Sequence, residues 1–185
     1  MNYRKGLEEP HQRGFGALRL VMAGAALGTA LLVAGIAFAH GNGEGEAKVT
    51  VGNATVTITF GRPSLKGRDL MQMIQPGNLW RMGADMPTTI ESTADLDFGG
   101  TRVPKGKHIL LARYIGPGQW TLVVSSQDRQ HYEPSAKLAE VPMQVEQGLS
   151  PLEEMNIELS AKSKTGKITV AWGSYRLTAP FSAAE

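Results

Sequence analysis

The chain has 185 residues, with 19 Lys and Arg against 17 Asp and Glu, and no cysteine. That composition excludes a disulfide scaffold and thiolate chemistry, and a net charge of +2 supplies no basic stripe for nucleic acid. The small excess belongs to the first 39 residues; from His40 onward there are fifteen basic and fifteen acidic side chains.

Leu20 to Ala39 reads LVMAGAALGTALLVAGIAFA, twenty residues without a charge, preceded by Arg4, Lys5, Arg13 and Arg19. About twenty apolar residues cross a bilayer core as a helix. Residues 1–19 are therefore expected to be a cytoplasmic or leader n-region. Residues 20–39 are expected to be a transmembrane anchor or a signal-peptide core, with Ala37-Phe38-Ala39 matching a cleavage-site end. Either reading keeps the N-terminus inside and exports the rest to the outer face of the cytoplasmic membrane. Residues 40–47 (HGNGEGEA) read as a Gly-rich linker with nothing to bury.

From Lys48 the pattern changes to period two. Val49-Thr50-Val51 and Thr55 to Phe60 alternate apolar residues with Thr, as half-buried strands do, and Gly52-Asn53 between them reads as a two-residue hairpin turn. Residues 61–87 interrupt the alternation with Gly61, Pro63, Gly67, Pro76, Gly77, Gly83 and Pro87. A helical turn is expected at Asp69–Gln75 within a long structured loop. Strand signals resume at Thr88–Thr93, Leu96–Phe98, Thr101–Val103, Lys107–Tyr114, Trp120–Ser125, Lys137–Val145, Met155–Ala161, Lys167–Trp172 and Tyr175–Thr178. Turn residues separate them, among them Gly99-Gly100, Pro104-Lys105-Gly106, Gly116-Pro117-Gly118, Thr165-Gly166 and Gly173-Ser174. Short strands at this spacing predict an all-β domain over 48–182, an antiparallel β-sandwich of about nine strands.

Three segments carry a resemblance: GRPSLKGRDL, then IQPGNLWRMGADMPTTIE, then FGGTRVPKGKHILLARYIGPGQWTLVVSS. Arg62, Pro63, Ser64, Lys66, Gly67 and Arg68, followed by Pro76, Gly77, Trp80, Arg81, Gly83, Ala84, Thr88, Thr89 and Ile90, are its anchor positions. In this order the chain resembles an exported bacterial domain-of-unknown-function family, number 2911, over about residues 48–180. The resemblance implies an exported β-rich protein and brings no assigned reaction. The chain departs from the family pattern at Asp85-Met86, where members commonly carry Asn-Glu. It departs again at Met71 and Met73, where they carry bulky aliphatic or aromatic residues and Gly.

The residues that could carry function concentrate in loop 61–91. Arg62, Lys66, Arg68 and Arg81 crowd twenty residues, and guanidinium pairs recognise carboxylate or phosphate through bidentate hydrogen bonds. With Trp80 as a stacking surface and Asp85 beside them, they suggest a site for a small anionic or carbohydrate-like ligand. The same arginines would instead brace the loop if they pair with Asp69, Asp85 or Glu91. The expected function is a non-enzymatic binding or interaction module of the cell envelope, needing no cofactor. Two alternatives remain open. In one, a periplasmic copper protein uses His40 as a mature N-terminus with His108, His131, Met71 and Met73, and Met82 and Met86 nearby. In the other, a hydrolase uses Asp85 and Glu91 as acid and base. Ser64 has no G-x-S-x-G context, and there is no phosphate-binding glycine motif.

Overall fold

A computed structural model describes residues 43–184. The apolar run 20–39, His40 and the first residues of the expected linker lie outside them. The described chain is antiparallel β structure almost throughout. Its strands are β1 (Gly43–Val51), β2 (Ala54–Arg62), β3 (Leu79–Trp80), β4 (Thr89–Ser92), β5 (Leu96–Phe98), β6 (Thr101–Val103), β7 (Gly106–Gly116), β8 (Gln119–Ser125), β9 (Lys137–Glu146), β10 (Leu152–Lys162), β11 (Thr165–Gly173) and β12 (Tyr175–Ala183). One helical turn, α1 (Leu70–Met73), is capped by the Asp69 carboxylate accepting from the Met71 N–H at 2.9 Å.

The β1–β2 hairpin has the expected register. Val51 faces Ala54 across Gly52-Asn53, and the left-handed φ of +57° falls on Gly52. Val51, Val56, Ile58 and Phe60 are buried and Val49 packs against them, while the alternating Thr residues of β2 are half-exposed. Strand pairing begins earlier than the sequence suggests. Residues 43–47, expected to be linker, pair with residues 58–62. Gly45 sits opposite Phe60, whose ring occupies the space a side chain at 45 would need. The missing side chains that mimic a linker are what admit that ring.

A second correction concerns the turn before β11. It is Ser163-Lys164, with Ser163 at φ +57°, and Lys162 faces Thr165. Thr165 and Gly166 lie inside the strand, where Gly166 stands opposite Phe181 and leaves room for its ring.

The strands form one sheet in the order β1-β2-β4-β7-β8-β9-β12-β11-β10, with β3 added to β7 and the β5–β6 hairpin added to β12. Two separate layers were the expectation; the observed sheet is nearly a barrel. Strand β9 turns the corner, pairing with β8 through residues 137–143 and with β12 through residues 144–146. The other ends meet beyond β2. The Leu65 N–H donates to the Glu153 carbonyl at 2.9 Å, and the Met155 N–H donates to that of Pro63 at 3.0 Å. Closure of this kind removes exposed strand edges. Inside lie Ile58, Phe60, Leu110, Leu122, Met155 and Ile168, each at most 1 % exposed. Burying a side chain of this size contributes about 1.5–3 kcal/mol.

Strand β7 has a second buried face. Leu110, Ala112 and Tyr114 point into the core, so Ile109, Leu111 and Arg113 line the outer side. Leu111 is nevertheless only 1 % exposed, because segment 81–88 and the loop after β8 fold over it. This covering leaves two hollows along the outer side of β7.

Candidate functional site

A cleft of about 560 Å³ opens between loop 70–83, the outer end of β7 and the β8–β9 loop. Its walls include Leu70, Met73, Trp80, Arg81, Arg113, Arg129, Tyr132 and Trp172. This volume lies within the roughly 300–1,000 Å³ typical of small-molecule sites, and the mix of aromatic walls with a few convergent polar groups is also typical.

The aromatic side is rigid. Trp80, carried on β3, stacks on Trp172 of β11 with centroids 5.8 Å apart and planes 10° from parallel. Trp120 meets Trp80 edge-on at 6.1 Å, and Tyr114 packs on Trp120 at 4.9 Å. Trp172 donates its indole N–H to the Glu153 carbonyl at 3.2 Å, so its polar end is satisfied. Trp80 is only partly buried, leaving it available to the cleft.

The three arginines differ in charge balance. Arg113 is neutralised: its Nε donates to Glu140 Oε1 at 3.0 Å, and its Nη2 donates to the Tyr132 hydroxyl at 3.3 Å. Burial pushes the Glu140 carboxyl up. Hydrogen bonds from Thr121 at 2.6 Å, Lys137 at 2.9 Å and Arg113 outweigh that effect and hold it below the usual carboxylate range. Among the described residues Arg81 has a single hydrogen bond, from its Nε to the Gly83 carbonyl at 3.3 Å, and no acidic partner. Arg129 likewise has none. It is held out on a tight turn in which Asp128 Oδ1 accepts from the N–H groups of Gln130 and His131, at 2.9 and 3.1 Å. The His131 backbone bond leads in holding the Asp128 carboxyl below its ordinary range.

Arg81 is carried by a constrained segment. Met82 and Asp85 have φ of +50° and +63°, which side chains other than glycine rarely adopt and which costs of order 1–3 kcal/mol each. Two contacts over-determine this path. Thr88 Oγ1 donates to the Met82 carbonyl at 2.8 Å, and the Ala84 carbonyl rests against the bare Cα of Gly61. Positive φ values of this kind collect at binding and catalytic sites.

A smaller hollow of about 170 Å³ adjoins the cleft and shares Arg81 and Arg129 with it. Asp85, Pro87, Thr88, Ile109, Leu111, Asp128 and Gln130 line the rest.

The remaining sequence-predicted residues lie elsewhere. Arg62 bonds the Met155 carbonyl at 3.3 Å and faces Glu154 at 3.5 Å, across the barrel closure. Arg68 folds back on the carbonyls of Leu65 and Ser64, at 2.9 and 3.0 Å. Lys66 has an exposed side chain, and its backbone N–H donates to Glu153 Oε1 at 2.8 Å. Glu91 is exposed on β4 and lines neither hollow, so Asp85 and Glu91 do not share a cavity. His108 Nε2 lies 2.7 Å from the Pro104 carbonyl and His131 Nδ1 2.9 Å from Asp128. Among the described residues there is no group of three or more His, Cys, Asp or Glu side chains placed to hold a metal. Met82 is fully buried, Met71 packs on the core, Met86 is partly buried and Met73 is at the cleft wall.

The family model described as "Protein of unknown function (DUF2911)" matches residues 43–181. The chain belongs to this family. The match opens on the first residue of β1 and closes within β12, so the DUF2911 domain and the near-barrel are the same unit. No curated protein and no solved structure matches the chain.

Sequence reasoning about this DUF2911 domain located Trp80 and Arg81 but missed Arg113, Arg129, Tyr132 and Trp172. Two signals were available. Arg113 is the one charge inside the apolar strand ILLARYI, and residues 126–136 form a second long non-strand segment. Neither identifies loop 61–91 as its neighbour, because that contact is made through the fold.

Proposed function

We propose that this chain is an envelope binding module, exported by its apolar segment, whose cleft takes a small anionic ligand of carbohydrate type, a uronic acid being the simplest. The observation that carries the reading is the pairing of Arg81 and Arg129, which have no acidic partner among the described residues, with the Trp80–Trp172 stack in one cleft. Guanidinium groups offer a carboxylate bidentate hydrogen bonds, and an indole face accepts the apolar face of a ring. Export rests on the uncharged run 20–39 and the basic residues before it.

The experiment is thermal melting and calorimetric titration of the full chain in mild detergent. Probes are D-glucuronate and D-galacturonate, with D-glucose, phosphate, sulfate and citrate as comparisons. Saturation at 100 times the dissociation constant stabilises the folded state by about 2.7 kcal/mol. The reading expects a uronate to raise the melting temperature more than glucose or the inorganic anions do. No shift with either uronate would overturn it.

A further inference from the structure

The two hollows lie in sequence along the outer face of β7. Ile109 and Leu111 line the smaller, and Arg113, the next outward residue, lines the larger. Alternate residues on a strand are about 6.5–7 Å apart. Arg81 and Arg129 line both hollows, so they stand at the junction rather than at a closed end. At about 170 Å³ the smaller hollow falls below the roughly 300 Å³ minimum of independent ligand sites, which suits an extension of the larger cleft.

The chemistry of the two compartments differs. The larger has aromatic walls, the two arginines without an acidic partner among the described residues, and no carboxylate in its lining. The smaller adds two carboxylates, Asp85 and Asp128, to the same two arginines, over an apolar floor of Ile109 and Leu111. Carboxylates repel a second anion and accept hydrogen bonds from hydroxyl groups.

Resting on the uronate reading of the larger cleft, we infer that the site is a two-unit groove for an acidic disaccharide segment. A carboxylate-bearing sugar occupies the larger cleft and a neutral, hydroxyl-rich sugar the smaller hollow. The carboxylate is held at the junction by Arg81 and Arg129. The neutral unit donates hydroxyl hydrogen bonds toward the acidic wall. The class of ligand is thus a glycan in which uronate and neutral residues are linked directly.

The test is titration of the full chain with four probes: D-glucuronate, D-galacturonate, a glucuronate–hexose disaccharide, and digalacturonate. The mixed disaccharide is expected to bind about tenfold more tightly than the monomer, the gain of one hydrogen bond to a charged acceptor. Digalacturonate should gain nothing over D-galacturonate, because Arg81 and Arg129 already hold its first carboxylate and the second meets Asp85 and Asp128. Gln130→Trp, at an exposed position on the wall of the smaller hollow, should bring the disaccharide-to-monomer affinity ratio close to one. If monomeric uronates bind and the mixed disaccharide shows no advantage, the two-unit groove is refuted while the uronate cleft stands. An equal gain from digalacturonate refutes it as well. If no uronate binds in any form, both readings fall together.

Discussion

Arg62 and Arg81 are each placed beside a residue that restricts the chain, Pro63 and Trp80, and they are spaced alike in the basic loop. The structure assigns them different physics, which alanine substitution separates. Arg62 spans the closure between β2 and β10, with one hydrogen bond to a backbone carbonyl and one ion pair to Glu154. The two side chains of that pair are 32 % and 55 % exposed, so the pair contributes about 0–1 kcal/mol. The hydrogen bond from a charged donor adds about 1 kcal/mol once its partial exposure to solvent is allowed for. Arg62→Ala should therefore cost about 1–2 kcal/mol, and Glu154 remains hydrated rather than orphaned. For a domain of this size that is a fall in melting temperature of about 3–8 °C. Arg81→Ala removes one long local hydrogen bond and orphans no acid among the described residues, so stability should stay within about 0.5 kcal/mol of wild type. Its effect should fall on ligand instead. Losing a charge-assisted hydrogen bond of about 1.5–3 kcal/mol weakens uronate binding by about 10- to 150-fold. The assay is denaturant and thermal unfolding of wild type and both variants, followed by uronate titration of each. The reasoning is refuted if Arg81→Ala destabilises the domain more than Arg62→Ala, or if Arg81→Ala binds the uronate as wild type does.

Three further outcomes are expected. Gly166→Ala would place a Cβ 2.6 and 2.9 Å from two ring carbons of Phe181, itself pinned against Phe98 at a centroid distance of 5.8 Å. Overpacking should cost about 1–3 kcal/mol, and Phe181→Leu in the same chain should recover part of it; full stability in Gly166→Ala alone would contradict the packing. The depressed Glu140 carboxyl binds a proton more readily in the unfolded chain. Its contribution to stability is therefore complete above the ordinary carboxylate range near 4.5 and is lost as pH falls through its lower folded value. Glu140→Gln should flatten the acid limb of the stability–pH curve, and an unchanged limb would remove Glu140 as its source. Finally, carbonate extraction should leave the full chain in the membrane fraction if residues 20–39 stay attached, whereas a soluble product beginning at His40 would identify them as a cleaved leader.

Sequence alone determined the all-β class, most strand positions, the β1–β2 register and the faces of the early strands. Each of these is local: a period-two alternation shows which side chains share a face, and Gly52 marks where the chain reverses. It also singled out Trp80 and Arg81. It failed where glycine was ambiguous, because a glycine in a turn and a glycine under an opposing Phe ring look alike until the partner strand is known. Gly45 and Gly166 are both of the second kind. Tertiary structure alone decided that β9 carries the sheet round a corner and that Pro63–Leu65 closes it against β10. It also decided which arginines are neutralised. Arg62 and Arg113 meet Glu154 and Glu140, residues 92 and 27 positions further along the chain, while Arg81 and Arg129 meet no acid among the described residues. Whether a charge braces a fold or waits for a ligand depends on what lies opposite it in space, and sequence spacing does not encode that distance.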